Sequence, residues 1–166
     1  MITRIAALLF ALLACNVASA AQTLRMHLEG IADGDTIYVR DTEQRASYRV
    51  RLAMIDAPES SQEYGSQAKN ALSQALRGAG VLTLHVHGKD RYGRLIAIVE
   101  TDTNRNVNLY MVSQGAAWVY RQYATQPSYG QYLPAMLNAE RNAKMRQLGL
   151  WSSANPVEPW RYRRQH

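Results

Sequence analysis

Apolar and polar residues alternate along the chain beyond residue 23, which is the pattern of half-buried β-strands. The first alternating run is Leu24–Leu28, and the second is Thr36–Arg40. Between them, Gly30 leads to the turn signal Asp33-Gly34-Asp35, since glycine and aspartate both favour tight turns. We therefore predict a β-hairpin at the start of the folded region.

Three more strands and one helix are predicted in the middle of the chain. The third strand covers Tyr48–Ile55, and a helix follows it because apolar residues from Tyr64 to Leu76 line a single face at helical spacing. Val81–Val86 and Leu95–Val99 form two further apolar or alternating runs, joined by a glycine-containing loop over residues 88–93. This arrangement predicts a second hairpin.

The C-terminal half is predicted to be helical. A short helix covers Val107–Gln114 and a longer one covers Tyr129–Leu148, each followed by a glycine that favours a helix end. Five strands and about three helices, with one helix after the third strand, match the order of an OB-fold barrel. The predicted fold class is therefore α+β, mainly β.

Residues 152–166 carry no regular apolar period and are predicted to form an extended C-terminal tail. The tail is rich in aromatic and basic residues: Trp160, Arg161, Tyr162, Arg163 and Arg164. Such a segment can stack on bases and contact phosphates. The favoured interpretation is a strap over a hydrophobic patch, with its arginines left in water.

Residues 1–20 have the features of a secretory signal, in which Arg4 precedes an apolar run over Ile5–Ala14 and a small-residue cleavage site follows. The apolar run is too short for a stable membrane span. We predict a secreted or periplasmic protein whose catalytic domain covers residues 21–151. The alternative is lipid anchoring at Cys15, the chain's only cysteine, because the residues before it resemble a lipoprotein cleavage site.

The chain is basic, with a formal net charge of +6. Without residues 1–20, which contain one basic and no acidic residue, the charge is +5. A cationic domain suits a polyanionic partner. Charge alone does not distinguish nucleic acid from an acidic membrane surface or heparin.

Three aspartates are candidates for a metal site. Asp33 and Asp35 lie two residues apart, so in extended backbone they project to one side, and Asp56 lies at the far end of the third strand. A hard divalent cation requires several oxygen ligands, which three converging acids would provide. Each aspartate taken singly is more simply explained as a turn residue.

Glu59, Arg51 and Arg94 are candidates for phosphodiester chemistry. Hydrolysis of a phosphodiester requires an oriented water and cationic donors for the charge that develops on the phosphate oxygens. Arginine suits this role because its planar fork binds two oxygens at once. For any single arginine, a surface ion pair is the commoner role.

Three motifs in order resemble the staphylococcal nuclease (thermonuclease) family. They are Asp33-Gly34-Asp35-Thr36, Arg51-Leu52-x-x-Ile55-Asp56-Ala57-Pro58-Glu59 and Asp90-Arg91-Tyr92-Gly93-Arg94. The resemblance covers roughly Leu24 to Trp151. Three motifs in correct order are far more specific than any one of them.

The resemblance implies an OB-fold endonuclease that uses one calcium ion, cleaves DNA and RNA, and leaves 3'-phosphate ends. It implies that Asp35 and Asp56 bind calcium together with the backbone carbonyl of Ala57, while Asp33 lies close by. Glu59 would position or deprotonate the attacking water.

The resemblance also implies the substrate contacts. Arg51 and Arg94 would bind the phosphate and stabilise the transition state, and Arg91 and Tyr92 would lie against the nucleotide. A second aromatic contact is assigned to Tyr123, with Tyr120 as the alternative because the aromatic spacing differs there from the family pattern.

Three further points stay open from the sequence. The loop over residues 60–63 is shorter than in the staphylococcal enzyme, so rate and substrate preference are not fixed. Oxygen ligands also accept manganese or magnesium. An OB-fold binding module without activity is the alternative function, and a monomer is the expected state.

Overall fold

Five strands close into a barrel in the computed structural model, which describes residues 22–41, 43 and 45–166. The predicted signal segment and Cys15 lie outside the described residues. Two further strands form a small separate sheet. In chain order the strands are β1 Gln22–Ile31, β2 Thr36–Asp41, β3 Ser47–Leu52, β4 Ile55–Asp56, β5 Leu82–Lys89, β6 Leu95–Glu100 and β7 Trp118–Val119.

The barrel has the strand order β1-β2-β3-β6-β5, and β5 pairs with β1 to close it. All neighbours are antiparallel except β3 and β6, which run parallel. The alternating side chains that point inward, such as Val39, Val50 and Leu84, are completely buried. The prediction of a mainly β, five-stranded OB-fold barrel is confirmed.

The described residues form five α-helices: α1 Gly65–Ala75, α2 Val107–Ser113, α3 Arg121–Ala124, α4 Leu133–Met145 and α5 Pro159–Gln165. The three predicted helices correspond to α1, α2 and α4, and the other two are short. Helix α4 begins four residues later than predicted, with Pro134 in its first turn, where a missing backbone N–H costs nothing. In the described part of the chain, no helix has the length and apolarity to cross a membrane.

The predicted third strand is interrupted. Strand β3 ends at Leu52, and Met54 has a φ of 67°, a left-handed conformation that breaks the strand. The chain then enters β4, where Ile55 pairs with Val119 and Asp56 with Trp118 of β7. This break separates Asp56 from the barrel strand that carries Arg51 and gives it a different partner strand.

The prediction of an extended tail is wrong for Pro159–Gln165, which is helical. Proline starts this helix because its fixed φ suits the first helical position, and the residues after it contain no helix breaker. The ring of Trp160 lies parallel to that of Tyr120, with centroids 5.0 Å apart, and approaches Trp118 edge-on at 5.9 Å. Aromatic contacts therefore hold α5 against the protein.

Glu140 of α4 is a buried acid that fixes strand β7. Its carboxylate accepts a 2.9 Å hydrogen bond from the backbone N–H of Val119, and it forms ion pairs with Arg121 at 2.6 Å and Lys144 at 3.2 Å. Burial alone would raise the pKa of Glu140, but these hydrogen bonds and positive charges outweigh it and lower the pKa. Glu140 is therefore a structural acid bonded to the backbone of β7.

We expect Glu140→Ala to reduce the free energy of unfolding by about 2 kcal/mol, because the buried N–H of Val119 loses its acceptor. Because the folded-state pKa lies below the ordinary value of 4.5, the stabilisation is fully present above that pH and is lost as the pH falls through the folded-state value. Urea unfolding at about pH 7 and about pH 3 measures both effects. Glu158→Ala, which removes only a surface ion pair with Arg161, is the control, and equal losses in the two variants would contradict the assignment.

Candidate active site

The Asp33-Gly34-Asp35 turn between β1 and β2 fixes the first acid. The backbone N–H of Asp35 donates to Asp33 Oδ1 at 3.0 Å. The Thr36 hydroxyl donates to Asp35 Oδ1 at 3.0 Å, and the Ala57 N–H donates to Asp35 Oδ2 at 3.2 Å. The Asp35 carboxylate is thereby buried beside the segment that follows β4.

Gly34 allows this turn to lie directly on α1. A Cβ at position 34 would be 2.7 Å from the Cβ of Ala57 and 2.9 Å from that of Ala68. Both distances are shorter than a carbon–carbon contact permits. The glycine of the motif is thus required by close packing, which brings Asp35 up to Ala57.

Asp56 is completely buried and faces the same arginine as Asp35. Arg51 Nη2 lies 2.8 Å from Asp56 Oδ1 and 3.3 Å from Asp35 Oδ2. Two acids separated by twenty residues of sequence therefore converge on one guanidinium nitrogen. The predicted metal ligands and the predicted phosphate-binding Arg51 lie together.

Negative charge is concentrated on Asp33, Asp35 and Asp56, which we call the acid cluster. Burial raises the pKa of Asp56 to about 6, and the charge of Asp35 adds to the rise while hydrogen bonds from arginine oppose it. Burial, with the charge of Asp35 next, also raises the pKa of Asp33. Burial by itself would lower the pKa of Arg51, but the charges of Asp35 and Asp56 more than compensate and raise it. Such a cluster favours a bound cation.

Glu59 lies at the edge of this cluster and is partly exposed. Its backbone N–H donates to the side chain of Gln62 at 3.2 Å, which fixes the loop after Pro58. Its carboxylate accepts a 2.6 Å hydrogen bond from Arg163 Nη1. The same guanidinium contacts both carboxylate oxygens of Asp56, so Glu59 and Asp56 share one arginine.

Arg163 is a site residue that the sequence reasoning missed. The tail arginines were expected in water, and Arg161 and Arg164 are indeed exposed, but Arg163 reaches into the acid cluster. The reason is the helix, since residues three apart share a helical face and Arg163 follows Trp160 by three positions. A helical interpretation of Pro159–Gln165 would have placed both side chains toward the protein.

Arg94 is connected to the cluster through Thr36. Its Nε donates to Asp90 Oδ2 at 2.7 Å, and its Nη1 lies 3.4 Å from the Thr36 hydroxyl, which in turn donates to Asp35. Asp90 also accepts the backbone N–H groups of Tyr92 and Arg94, so it shapes the turn and holds the guanidinium. Asp90 is a positioning residue that the motif contained but to which the sequence reasoning gave no role.

Arg91 and Tyr92 form an exposed basic and aromatic patch beside Arg94. The Tyr92 ring is 65% exposed, with the guanidinium carbons of Arg91 and Arg94 at 4.8 and 5.6 Å from its centroid. This patch is open to a ligand approaching from solvent.

Tyr120 is closer to the acids than Tyr123. The guanidinium carbon of Arg51 lies 6.0 Å from the centroid of the Tyr120 ring. Tyr123 approaches the Tyr120 ring edge-on, with centroids 4.9 Å apart. Tyr123 is 48% exposed. The structure therefore connects Tyr123 to the cluster only through Tyr120.

The donor set fits a hard divalent cation. In the described ranges, no three His, Cys, Asp or Glu side chains converge closely enough to hold a metal ion. Asp35 and Asp56 therefore offer two carboxylates, and a backbone carbonyl and water must complete the coordination, as calcium sites allow. All of these donors are oxygen, which disfavours soft metals.

A family model described as staphylococcal nuclease homologue matches residues 49–153. The chain belongs to the staphylococcal nuclease family. The matched span contains Arg51, Asp56, Glu59 and Arg94 and ends before α5. The family assignment confirms the resemblance inferred from the motifs, and with it the prediction of a hydrolase of the nuclease class.

Curated relatives agree with this staphylococcal nuclease assignment. A Haemophilus influenzae protein named "uncharacterized endonuclease" is 44% identical over 135 residues, which cover 81% of this chain and 70% of that protein. An Escherichia coli protein of the same name is 44% identical over 133 residues, covering 80% of each chain. A Shigella flexneri "micrococcal nuclease" is 40% identical over 142 residues, covering 81% of this chain and 77% of its own length.

Proposed function

We propose that this protein is a calcium-dependent endonuclease that hydrolyses phosphodiester bonds in DNA and RNA and leaves 3'-phosphate ends. One observation carries the proposal: Asp35 and Asp56 meet at a single nitrogen of Arg51, with Glu59 beside Asp56. The arrangement supports the proposal, because three carboxylates and a guanidinium group lie together in one small site.

Glu59 acts on the attacking water. Its carboxylate is at the solvent-facing edge of the cluster, where it accepts the proton as the water oxygen forms its bond to phosphorus. The bond from phosphorus to the 5'-oxygen then breaks, and that oxygen leaves with a proton taken from solvent. The products are a 3'-phosphate and a 5'-hydroxyl.

Arg51 and Arg94 bind the phosphate from two sides. Arg51 is held by Asp35 and Asp56, and Arg94 by Asp90, so both guanidinium groups are oriented before substrate binds. Pre-oriented donors stabilise the charge that grows on the phosphate oxygens without reorganising in the transition state.

Asp35, Asp56 and the Ala57 carbonyl would hold calcium, with Asp33 supporting Asp35 through its backbone N–H. When bound, calcium supplies Lewis-acid polarisation of a non-bridging phosphate oxygen. The pKa of Asp56, raised to about 6 by burial and by Asp35, supports the cation requirement, because two buried carboxylates together need positive charge.

Arg91 and Tyr92 would contact the nucleotide, and Tyr123, with Tyr120 as the alternative, would provide a second aromatic contact. An exposed ring between two arginines suits stacking on a base next to a phosphate, which does not depend on base identity. This supports a substrate range that includes both DNA and RNA. We further propose that the protein is a monomer and acts outside the cytoplasm, the latter from the signal features of residues 1–20.

A cleavage assay tests the metal and the products. We expect the purified protein to cut circular plasmid DNA and RNA with calcium and to lose activity when a calcium chelator is added. The 5'-hydroxyl ends should accept labelled phosphate from a polynucleotide kinase without prior dephosphorylation. Magnesium and manganese are tested in parallel lanes.

Two outcomes contradict the proposal. Equal cleavage with and without the chelator would rule out calcium dependence. Ends that need dephosphorylation before labelling would carry a 5'-phosphate, which would mean that the bond from phosphorus to the 3'-oxygen is the one that breaks. Intact nucleic acid in every lane, with binding still detected in a gel-shift experiment, would favour the non-catalytic binding module.

A further inference from the structure

Helix α5 lies over the acid cluster and is anchored at three points. Trp160 stacks on Tyr120, with ring planes within 1° of parallel. The Tyr162 hydroxyl donates to the Ser61 carbonyl at 3.2 Å. Gln62 Nε2 donates to the carbonyl of Val157 at 2.6 Å, just before the helix begins. These contacts join α5 to the loop that carries Glu59 and to Tyr120, which lies beside Arg51.

The anchored helix inserts one cation into the cluster. Arg163 Nη2 lies 2.8 Å from Asp56 Oδ2, and Nη1 lies 3.2 Å from Asp56 Oδ1 and 2.6 Å from Glu59 Oε1. Asp56 is otherwise sealed from solvent, whereas the Arg163 side chain is 41% exposed. Arg163 therefore enters from the surface and covers the accessible side of Asp56.

A guanidinium in this position excludes a metal ion from the same oxygens. Both carboxylate oxygens of Asp56 accept hydrogen bonds from Arg163, and one also accepts from Arg51. A divalent cation that binds Asp56 from the solvent side must displace Arg163, because Arg163 contacts both carboxylate oxygens from that side. The same movement frees Glu59 to receive the proton of the attacking water.

The competition is intramolecular. A group tethered by a folded helix has a high effective concentration at its site, so it competes well even though each contact is individually weak. The apparent dissociation constant of calcium is the intrinsic constant divided by the fraction of molecules in which Arg163 is displaced. A small displaced fraction therefore weakens calcium binding.

We propose that Arg163, held by α5, is an intramolecular competitor of calcium, so that α5 is an autoinhibitory element that must loosen before the site is loaded. The proposal rests on the proposed calcium-dependent function for the identity of the cation. Because α5 lies outside the span matched by the family model, this control belongs to the C-terminal segment of this chain.

Calorimetric titration with calcium alone, without nucleic acid, tests the proposal. We expect Arg163→Ala to bind calcium about tenfold more tightly than the wild type, because a charge-assisted contact no longer opposes binding. The matched control is Arg161→Ala, which removes an arginine of the same helix that pairs only with Glu158 in the described structure. Its calcium affinity should equal that of the wild type.

A second variant addresses the helix itself. Trp160→Ala removes the stacking on Tyr120 while keeping Arg163, so it should also tighten calcium binding, by less than Arg163→Ala. Thermal unfolding of each variant without calcium establishes that it is folded before the titration.

The outcomes separate the two proposals. Equal calcium affinity in wild type and Arg163→Ala, or weaker binding in the variant, overturns the autoinhibitory role while leaving the proposed nuclease function intact. Absence of calcium binding in every folded variant overturns the calcium assignment and this inference together.

Discussion

Glu59→Gln is expected to lower kcat by about 10²- to 10⁴-fold, the usual contribution of a positioned general base. Glutamine keeps the shape of the side chain and its hydrogen-bonding oxygen but cannot accept the proton of the attacking water. Because Glu59 is at the edge of the cluster and partly exposed, the substitution should leave the fold unchanged. Initial rates of plasmid cleavage at saturating calcium measure the effect.

The matched control is Glu63→Gln, an exposed acid in the same loop. It should cleave at the wild-type rate. If Glu59→Gln also cleaves normally, another group activates the water and the role given to Glu59 is wrong. Calcium titration of Glu59→Gln separates loss of chemistry from loss of the metal.

Arg51→Ala and Arg94→Ala are each expected to lower kcat/KM by about 10²- to 10³-fold, the cost of losing one pre-oriented donor to the transition state. Lysine at either position should recover little of the loss, because it carries the charge without the planar fork. Cleavage of a short labelled oligonucleotide gives kcat and KM separately. A transition-state role lowers kcat, whereas a pure binding role raises KM.

Arg49→Ala provides the control for Arg51. Arg49 is exposed two residues earlier on β3, on the same face of the strand, and lies over the ring of Tyr38. Arg49→Ala changes the net charge by the same amount as Arg51→Ala, but it leaves the acid cluster untouched. A loss in Arg49→Ala as large as that in Arg51→Ala would mean that overall charge, and not the donor geometry, determines the rate.

The barrel and most of the candidate site were predictable from the sequence because they depend on local patterns. Alternation of apolar residues gives the strands, since one side of each must be buried in the barrel. The Asp33-Gly34-Asp35 turn and the Asp90 turn are short-range structures whose own side chains bond their backbones. Their motifs therefore identify both the conformation and the charged groups.

The break at Met54 was not predictable from the apolar period. Tyr48, Val50, Leu52 and Met54 keep the two-residue apolar period up to the break, and the apolar Ile55 follows directly, so the sequence indicates one strand. What forces the turn is tertiary pairing of β4 with β7, which lies more than sixty residues later in the chain.

Helix α5 was not predictable for a related reason. Seven residues with four polar or charged side chains at the C-terminal end give no strong amphipathic signal, and a helix this short needs tertiary contacts to be stable. Those contacts are with Tyr120 and Ser61, both far away in sequence. The position of Arg163 next to Asp56, 107 residues earlier, follows only once the helix is docked.

The small β4–β7 sheet also sets the order in which the site can form during synthesis of the chain. Every acid and arginine assigned to chemistry precedes α2, yet Asp56 is aligned by Trp118, and β7 is in turn fixed by Glu140 of α4. A nascent chain on the ribosome therefore exposes all of its reactive groups before it possesses the strand that assembles them. Strand β4, with Asp56, can therefore pair only after β7, in the last third of the chain, has been synthesised.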